Sequence, residues 1–302
     1  MRLNEKSSKK GGKIYDHIPL YIMLAPFFIF FFLFTALPVV SSIVLSFFRY
    51  DMVSSPSFVQ LSNYMRLFLD DDVFPAAVKN TLVFAVITGP TGFCLSFLLA
   101  WFVNEFKRVS RSLLSFLFFV PTLVGNSYFI WLIAFSGDSY GYVNSLLLST
   151  GLITDPVLWL KDPRFIMPII IVVQLWLSMG VSFLANIAGL QNVSTQMYEA
   201  GSIDGIRNRW QELWYITLPS MKHMLLFGAV IQIQSSFSVG YLSMALAGFP
   251  SVEHSADTVV THLIDVGTIR YEMGYASVVS VFLFALMAIS RIAVGKLFGS
   301  DD

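Results

Sequence analysis

The sequence predicts an all-α polytopic membrane protein with six transmembrane helices. Hydrophobic residues make up 56% of the 302 positions and charged residues only 13%, which is too few charges to cover a water-exposed surface. The mean hydropathy of +0.70 agrees with this. Six stretches contain no Asp, Glu, Lys or Arg, and each approaches or exceeds the roughly 17 to 25 residues that span a bilayer as a helix. They cover residues 20–48, 81–103, 112–135, 165–191, 224–246 and 273–290.

The first apolar stretch is predicted to be a retained helix. It is longer than the roughly 7 to 15 residues of a signal-peptide core, and no clear small-residue cleavage site follows it. The chain then divides into a basic N-terminal segment at 1–18, a six-helix transmembrane domain at 19–298 and a short tail at 299–302.

The distribution of Lys and Arg predicts the orientation of the chain in the membrane. An even number of spans puts both termini on one side, and that side carries 13 of the 19 Lys and Arg residues. Because short loops rich in Lys and Arg stay in the cytoplasm, both termini are predicted to be cytoplasmic. The loop at about 192–223 is then cytoplasmic as well.

Composition and motifs argue against several other functions. A net charge of zero gives no support to nucleic-acid binding, and Cys94, as the single cysteine, cannot form an intramolecular disulfide. The sequence has no GxxxxGK(S/T) phosphate loop, so we expect no ATP hydrolysis by this chain. The four histidines form no HExxH or similar ligand spacing, and we expect no metal site, no cofactor and no enzyme activity.

The loop at 192–223 contains the most informative pattern of the sequence. Residues 199–205 read as a short helix that ends at a glycine, and the run Ile216-Thr217-Leu218-Pro219 precedes the fifth span. Gly205 can take a positive φ, and proline suits the start of an element better than a helix interior. A smooth exposed helix of this kind can lie in a groove of another protein. The alternative is an ordinary helical hairpin between two spans.

This pattern resembles the cytoplasmic EAA loop in the permease subunits of binding-protein-dependent (type I) ABC importers. The family has Glu-Ala-Ala, then a glycine, then Ile-x-Leu-Pro, and its loop is a coupling helix that docks in a cleft of the ATPase subunit. Here a glycine replaces the second alanine, and the spacer after Gly205 is one residue longer. The resemblance implies that ATPase coupling involves Glu199, Ala200, Gly201, Asp204, Gly205, Leu218 and Pro219.

Other segments are similar to the carbohydrate-importing branch of the family, the maltose and multiple-sugar type. They are residues 58–64, 79–81 and 273–277, whereas residues 247–251 read Ala-Gly-Phe-Pro-Ser where that branch often has Gly-Gly-Pro. The resemblance implies a bacterial cytoplasmic membrane protein that translocates a sugar or oligosaccharide. Its implied partners are a second, homologous permease subunit, two ATPase subunits that hold ATP and Mg²⁺, and an extracytoplasmic solute-binding protein.

Polar side chains inside the spans are the candidates for the substrate pathway, because such groups are costly in lipid unless they face protein or water. Amides can bind sugar hydroxyls and aromatic rings can cover the apolar faces of a sugar. These candidates are Asn126, Tyr128, Trp131, Gln174, Gln232, Gln234, Ser238 and Tyr241. The alternative is that they only form hydrogen bonds between helices.

Two other functions remain open at this point. One is an ABC permease for a non-sugar solute such as a phosphorylated polyol, for which basic residues in the pathway would be expected. The other is a secondary transporter, which would be expected to carry an intramembrane charge. The predicted spans contain no such charge.

Overall fold

The structure, a computed structural model, describes residues 18–297. The predicted basic segment 1–18, apart from Ile18, lies outside the described residues. So do position 298 of the predicted transmembrane domain and the predicted tail 299–302.

The first part of the described chain contains five helices and a short hairpin. The helices are α1 (Ile18–Phe31), α2 (Leu37–Leu45), α3 (Ser62–Met65), α4 (Phe74–Asn104) and α5 (Arg108–Leu123). Two π-helical turns, Phe32–Ala36 and Arg66–Asp70, follow α1 and α3. The strands β1 (Phe48–Arg49) and β2 (Ser57–Phe58) pair in antiparallel register.

The rest of the described chain is helical as well. Its helices are α6 (Phe129–Ala134), α7 (Tyr142–Ser149), α8 (Pro163–Leu177), α9 (Val181–Asn192), α10 (Thr195–Ile203), α11 (Arg209–Glu212), α12 (Leu218–Ser220), α13 (Lys222–Phe237), α14 (Gly240–Ala247), α15 (Val259–Ile264) and α16 (Met273–Leu297). Two further π-helical turns, Leu213–Thr217 and Asp265–Ile269, follow α11 and α15, and a 3₁₀ turn covers Val252–His254.

Several of these helices can cross a membrane. Within residues 18–297, four stretches are long and apolar enough: Leu20–Leu45, Phe74–Asn104, Pro163–Asn192 and Met273–Lys296. They correspond to the first, second, fourth and sixth predicted spans. A fifth span results if the two helical segments on either side of Met221, which meet at 81°, are counted as one.

The third and fifth predicted spans are interrupted in the structure. α5 ends because Val124 takes an extended conformation (φ −91°, ψ 102°), and the helix resumes only with α6. α13 ends at Phe237, and α14 begins at Gly240. The apolar sequence continues through both breaks, so composition alone did not reveal them. The number of six spans therefore stays a prediction.

Helices α4, α9 and α13 pack together in the centre of the bundle through small and polar residues. The Oγ atoms of Ser96 on α4 and Ser182 on α9 lie 3.1 Å apart, and the Asn186 amide donates to Ser96 Oγ at 3.3 Å. Gly92 lets α13 come close, because a Cβ atom there would lie 2.1 Å from Nε2 of Gln232. Such contacts are typical of helices that associate in membranes, where burial of apolar surface offers no driving force.

The N-terminal ends of α4 and α16 meet at one end of the bundle. The backbone N–H of Gly274 donates to the carbonyl of Tyr50 at 3.1 Å, which joins α16 to the chain after β1. The Tyr275 hydroxyl donates to Asp71, whose Oδ2 lies 3.0 Å from Nε2 of the buried His262. These contacts tie the loop before α4 to α15 and α16.

A buried asparagine holds the connection between α6 and α8. The Asn144 amide donates to the carbonyls of Ser136, Asp138 and Val157, and its Oδ1 accepts from the Trp159 indole at 2.8 Å. The same connection contains the run Gly-Asp-Ser-Tyr-Gly at 137–141, which has the GxSxG spacing of a serine nucleophile turn. That turn needs a preceding strand, whereas this run follows α6, so it lacks the context of a hydrolase site.

Candidate functional site

The first candidate site is the 195–220 loop, whose first helix ends in a defined glycine cap. Gly205 has a φ of +95°, and the N–H of Ile206 donates to the carbonyl of Gly201 at 2.9 Å. This combination is a Schellman motif, which satisfies carbonyls at a helix end. After the cap, the Asn208 side chain accepts from the N–H of Gln211 and begins α11. The arrangement is helix, glycine break and helix, as the spacing predicts.

The two halves of the loop pattern, the start around Gly201 and the end around Ile216, pack against each other. Gly201 is buried, and a Cβ atom at this position would lie 2.6 Å from Cδ1 of Ile216. The Tyr198 hydroxyl and Thr217 Oγ1 lie 3.0 Å apart. The glycine that replaces the family's second alanine thus lets α10 lie directly on the segment that leads into α13. A force applied to α10 would reach α13 through these contacts.

The remaining loop candidates are distributed between an exposed face and the bundle. Glu199, Ala200, Asp204, Gly205 and Pro219 are exposed in this chain. Leu218 is half-buried and packs on the hydrophobic cluster around α4 and α9. The neighbouring Ile203 is 86% exposed, although it is a large apolar residue.

The second candidate site is a cavity of about 610 Å³ at the breaks in the predicted spans. Its walls come from the break between α5 and α6, the C-terminal part of α8, and the region around the break between α13 and α14. The lining residues are Gly125, Asn126, Tyr128, Gln174, Leu177, Ser235, Ser238, Val239, Tyr241, Leu242, Met244 and Ala245. None of these residues is charged. Irregular backbone at membrane depth is tolerated where it lines a cavity.

The structure brings five of the eight pathway candidates together at this cavity and separates the other three. Asn126, Tyr128, Gln174, Ser238 and Tyr241 line it. Trp131 packs instead with Phe135 and Trp176, with ring centroids 5.9 and 5.7 Å away. Gln234 is exposed away from the cavity lining.

Gln232 has a different environment from Gln174. It is buried against α4, where its Nε2 donates weakly to the Thr88 carbonyl at 3.4 Å. Its Oε1 has no hydrogen-bond partner among the described residues. Gln174, in contrast, donates to Ser235 Oγ at 2.9 Å in the cavity wall. Gln232 therefore belongs to the helix interface, which is the alternative that the sequence left open.

Sequence reasoning missed the apolar half of the cavity. Leu177, Val239, Leu242, Met244 and Ala245 are ordinary membrane residues, and nothing in their type separates them from lipid-facing positions. The one signal that was present is Gly125, which lies beside Asn126 inside an apolar run and weakens the helix there.

These features define a class of protein. A helix bundle with several membrane-spanning stretches and an uncharged cavity, lined by both polar and apolar residues, suits a membrane transport component. The family model described as "Binding-protein-dependent transport system inner membrane component" matches residues 92–298, and the chain belongs to this family.

Known relatives agree with this assignment. The chain is 30% identical over 282 residues to the arabinooligosaccharides transport system permease protein AraP of Bacillus subtilis (strain 168), covering 93% of this chain and 88% of that protein. It is 31% identical over 229 residues to the lactose transport system permease protein LacF of Rhizobium radiobacter, covering 74% of each. The fold matches, with a TM-score of 0.77 and 23% identity, a chain in the crystal structure of a bacterial alginate ABC transporter in complex with an alginate pentasaccharide-bound periplasmic protein; the match covers 94% of this chain and 95% of that one.

The chain is therefore a membrane-embedded permease subunit of an ABC importer. Its relatives are permease proteins, and the matching family is described as an inner membrane component of a transport system.

Proposed function

We propose that this permease translocates a sugar or oligosaccharide that an extracytoplasmic binding protein delivers, and that it does so in a bacterial cytoplasmic membrane. The observation that carries the proposal is the uncharged cavity, in which amide, hydroxyl and phenol groups face apolar side chains. This combination suits a sugar, whose hydroxyls need hydrogen-bond partners and whose ring faces are apolar. The relatives named for arabinooligosaccharide and lactose transport support the same substrate class.

A phosphorylated polyol suits this cavity less well. Its phosphate would enter the site with a negative charge, which is costly in a membrane interior without a cation. None of the described lining residues supplies one.

Energy is proposed to enter through the 195–220 loop. In this proposal two ATPase subunits hold ATP and Mg²⁺, this chain binds no cofactor, and a second homologous permease completes a heterodimer. Six spans place both termini and the 195–220 loop in the cytoplasm. Closure of the ATPase pair then moves α10 and shifts the bundle between inward-open and outward-open states, because nucleotide binding favours one of them. The exposed position of Glu199 and its neighbours supports this role.

Charge reversal in α10 tests the docking role. We expect Glu199→Lys to lower the amount of ATPase subunit that copurifies with the permease by about tenfold, because a charge at a protein interface is replaced by its opposite. The matched control is Glu253→Lys, an exposed charge in the loop that contacts the start of α4 at the opposite end of the bundle. The docking assignment fails if both variants retain the ATPase as the wild type does, or if the wild type binds none.

Two glutamines of neighbouring helices test the cavity. Gln174→Leu is expected to raise the apparent KM for oligosaccharide uptake about tenfold, because a polar group that can bind a substrate hydroxyl is lost. Gln232→Leu is expected to leave this KM unchanged, since its side chain lies in the helix interface. Uptake of a labelled neutral oligosaccharide and of labelled glycerol phosphate would be measured in proteoliposomes that contain the whole importer. Equal effects of the two substitutions, or uptake of the phosphate compound alone, would contradict the proposal.

A further inference from the structure

The 195–220 loop is joined to α4 by contacts that bridge more than a hundred positions of sequence. Arg209 Nη2 lies 2.8 Å from Oε2 of Glu105, the residue that follows α4. This ion pair joins two residues that are 104 positions apart in the sequence. One residue further along, the Trp210 ring packs on Trp101 of α4 with a centroid distance of 5.5 Å and an interplanar angle of 54°. The two contacts are adjacent in the loop and one helical turn apart on α4, so they hold the same two elements together.

The covalent connections of the loop lead to α9 at its start and to α13 at its end. Along the chain, the loop continues into α13 through the 81° bend at Met221. Packing of Gly201 on Ile216 serves that same route. Without the contacts at Glu105 and Trp101, a movement of α10 would reach α4 through α9, through α13, or through the apolar packing of Leu218.

α4 occupies a position from which it can change the bundle. It packs along both α9 and α13, through Ser96 and through Gly92. Near the middle of α4, the Thr88 carbonyl accepts from Gln232 of α13. Three residues further along α13, Ser235 lines the cavity. A displacement of the C-terminal end of α4 would therefore change the packing of the helices behind the cavity.

We propose that Glu105 and Arg209, with Trp101 and Trp210, form a second connection by which the 195–220 loop moves α4 directly. These four are positioning residues, since none of them lines the cavity at the helix breaks. The inference rests on the proposed coupling role of the loop and adds α4, besides α13, as a helix that the loop moves. A half-exposed ion pair is weak by itself, and the adjacent contact between two indole rings adds to the same connection.

The chain offers a natural reporter of α4 movement. Cys94, its only cysteine, lies on α4 with an exposed side chain. A nitroxide spin label on Cys94 reports the surroundings of α4 without any transported substrate. The importer is purified in lipid nanodiscs with its partner permease and ATPase subunits made free of cysteine. The spectrum without nucleotide is then compared with the spectrum in Mg-ATP and vanadate.

Arg209 pairs with two glutamates, which allows matched variants to be made. Arg209 Nη1 also lies 2.7 Å from Oε2 of Glu212, within the loop itself. Glu105→Gln thus removes the charge on the α4 side only, and Glu212→Gln removes the charge on the loop side only. For the aromatic contact, Trp210→Ala removes the ring and Trp210→Phe keeps an aromatic group.

We expect the nucleotide-dependent spectral change at Cys94 to be about two- to fivefold smaller in Glu105→Gln and in Trp210→Ala, as the loss of one modest coupling contact predicts. Glu212→Gln and Trp210→Phe should respond as the wild type does, and all four variants should retain the ATPase subunits. If Glu105→Gln and Trp210→Ala also respond as the wild type does, the second connection is disproved. If the wild type itself binds no ATPase, the proposed coupling role is at fault instead.

Discussion

Gly201→Leu is expected to uncouple transport from ATP hydrolysis and to lower the uptake rate at saturating substrate about tenfold. Gly201 is buried where α10 lies on Ile216, and even a Cβ atom would approach Ile216 Cδ1 to 2.6 Å and Ile206 Cδ1 to 3.1 Å. A leucine side chain has no space there, and overpacking of this kind costs about 1 to 3 kcal/mol. α10 would be pushed away from this segment, and its Tyr198 hydroxyl would lose the contact with Thr217. Uptake and ATP hydrolysis would be measured together in proteoliposomes, as solute transported per ATP.

The matched control is Gly201→Ala at the same position. The atoms that its methyl group meets are the mobile ends of two isoleucine side chains, which can move aside, so we expect only a small loss of transport. The EAA pattern that this loop resembles has alanine here. Transport by Gly201→Leu at the level of Gly201→Ala would show that the packing of α10 on Ile216 does not carry the coupling.

Gly274→Ala is expected to cause a large loss of stability, about 2 to 4 kcal/mol in the free energy of unfolding, from overpacking and a lost hydrogen bond. A Cβ atom at Gly274 would lie 1.9 Å from the Phe48 carbonyl oxygen, 3.0 Å from its carbon and 3.2 Å from the Tyr50 nitrogen. These are backbone atoms, which cannot rotate away as a side chain can. The β1 segment would have to separate from α16, and the N–H of Gly274 would lose the Tyr50 carbonyl. The midpoint of thermal unfolding in detergent would measure the effect.

Gly89→Ala in the middle of α4 serves as the control for this stability measurement. The nearest atom to its Cβ would be Ser236 Oγ at 3.6 Å, an ordinary contact distance. Alanine also favours a helix over glycine by about 0.5 to 1 kcal/mol, so this variant should be as stable as the wild type or slightly more stable. Equal midpoints for the two variants would mean that the β1 segment is not held closely against α16.

The sequence predicted the positions of several spans and the form of the 195–220 loop because these depend on local properties. A run such as 81–103 is recognised by its lack of charge alone, and α4 covers it without interruption. The end of α10 was predictable because glycine takes positive φ values at helix ends more readily than other residues do, and Gly205 has a φ of +95°. The spacing of the loop pattern predicted the second helical segment after this glycine.

The breaks that form the cavity were not predictable in the same way. Residues 124–128 and 238–239 are as apolar or uncharged as the helices beside them, so hydropathy treats each predicted span as continuous. Gln234 lies on an exposed side of α13, which ends before Ser238 and Tyr241, so it does not share the cavity with them. Gln232 was selected for its polarity, although polarity does not distinguish a helix interface from a cavity wall. Both placements depend on tertiary packing, which a single sequence does not record.

The cap at Gly205 has a consequence for the kinetics of assembly. The turn after α10 is held by the hydrogen bond from Ile206 to Gly201, and α11 begins with its own side-chain cap, so in the proposed importer the loop would meet an ATPase subunit already folded. A preformed surface loses little conformational entropy on association, and rigid interfaces of this kind move little between the free and the bound state. Association with an ATPase subunit should therefore be limited by diffusion and orientation, and differences in complex lifetime should arise from the contacts of α10 itself.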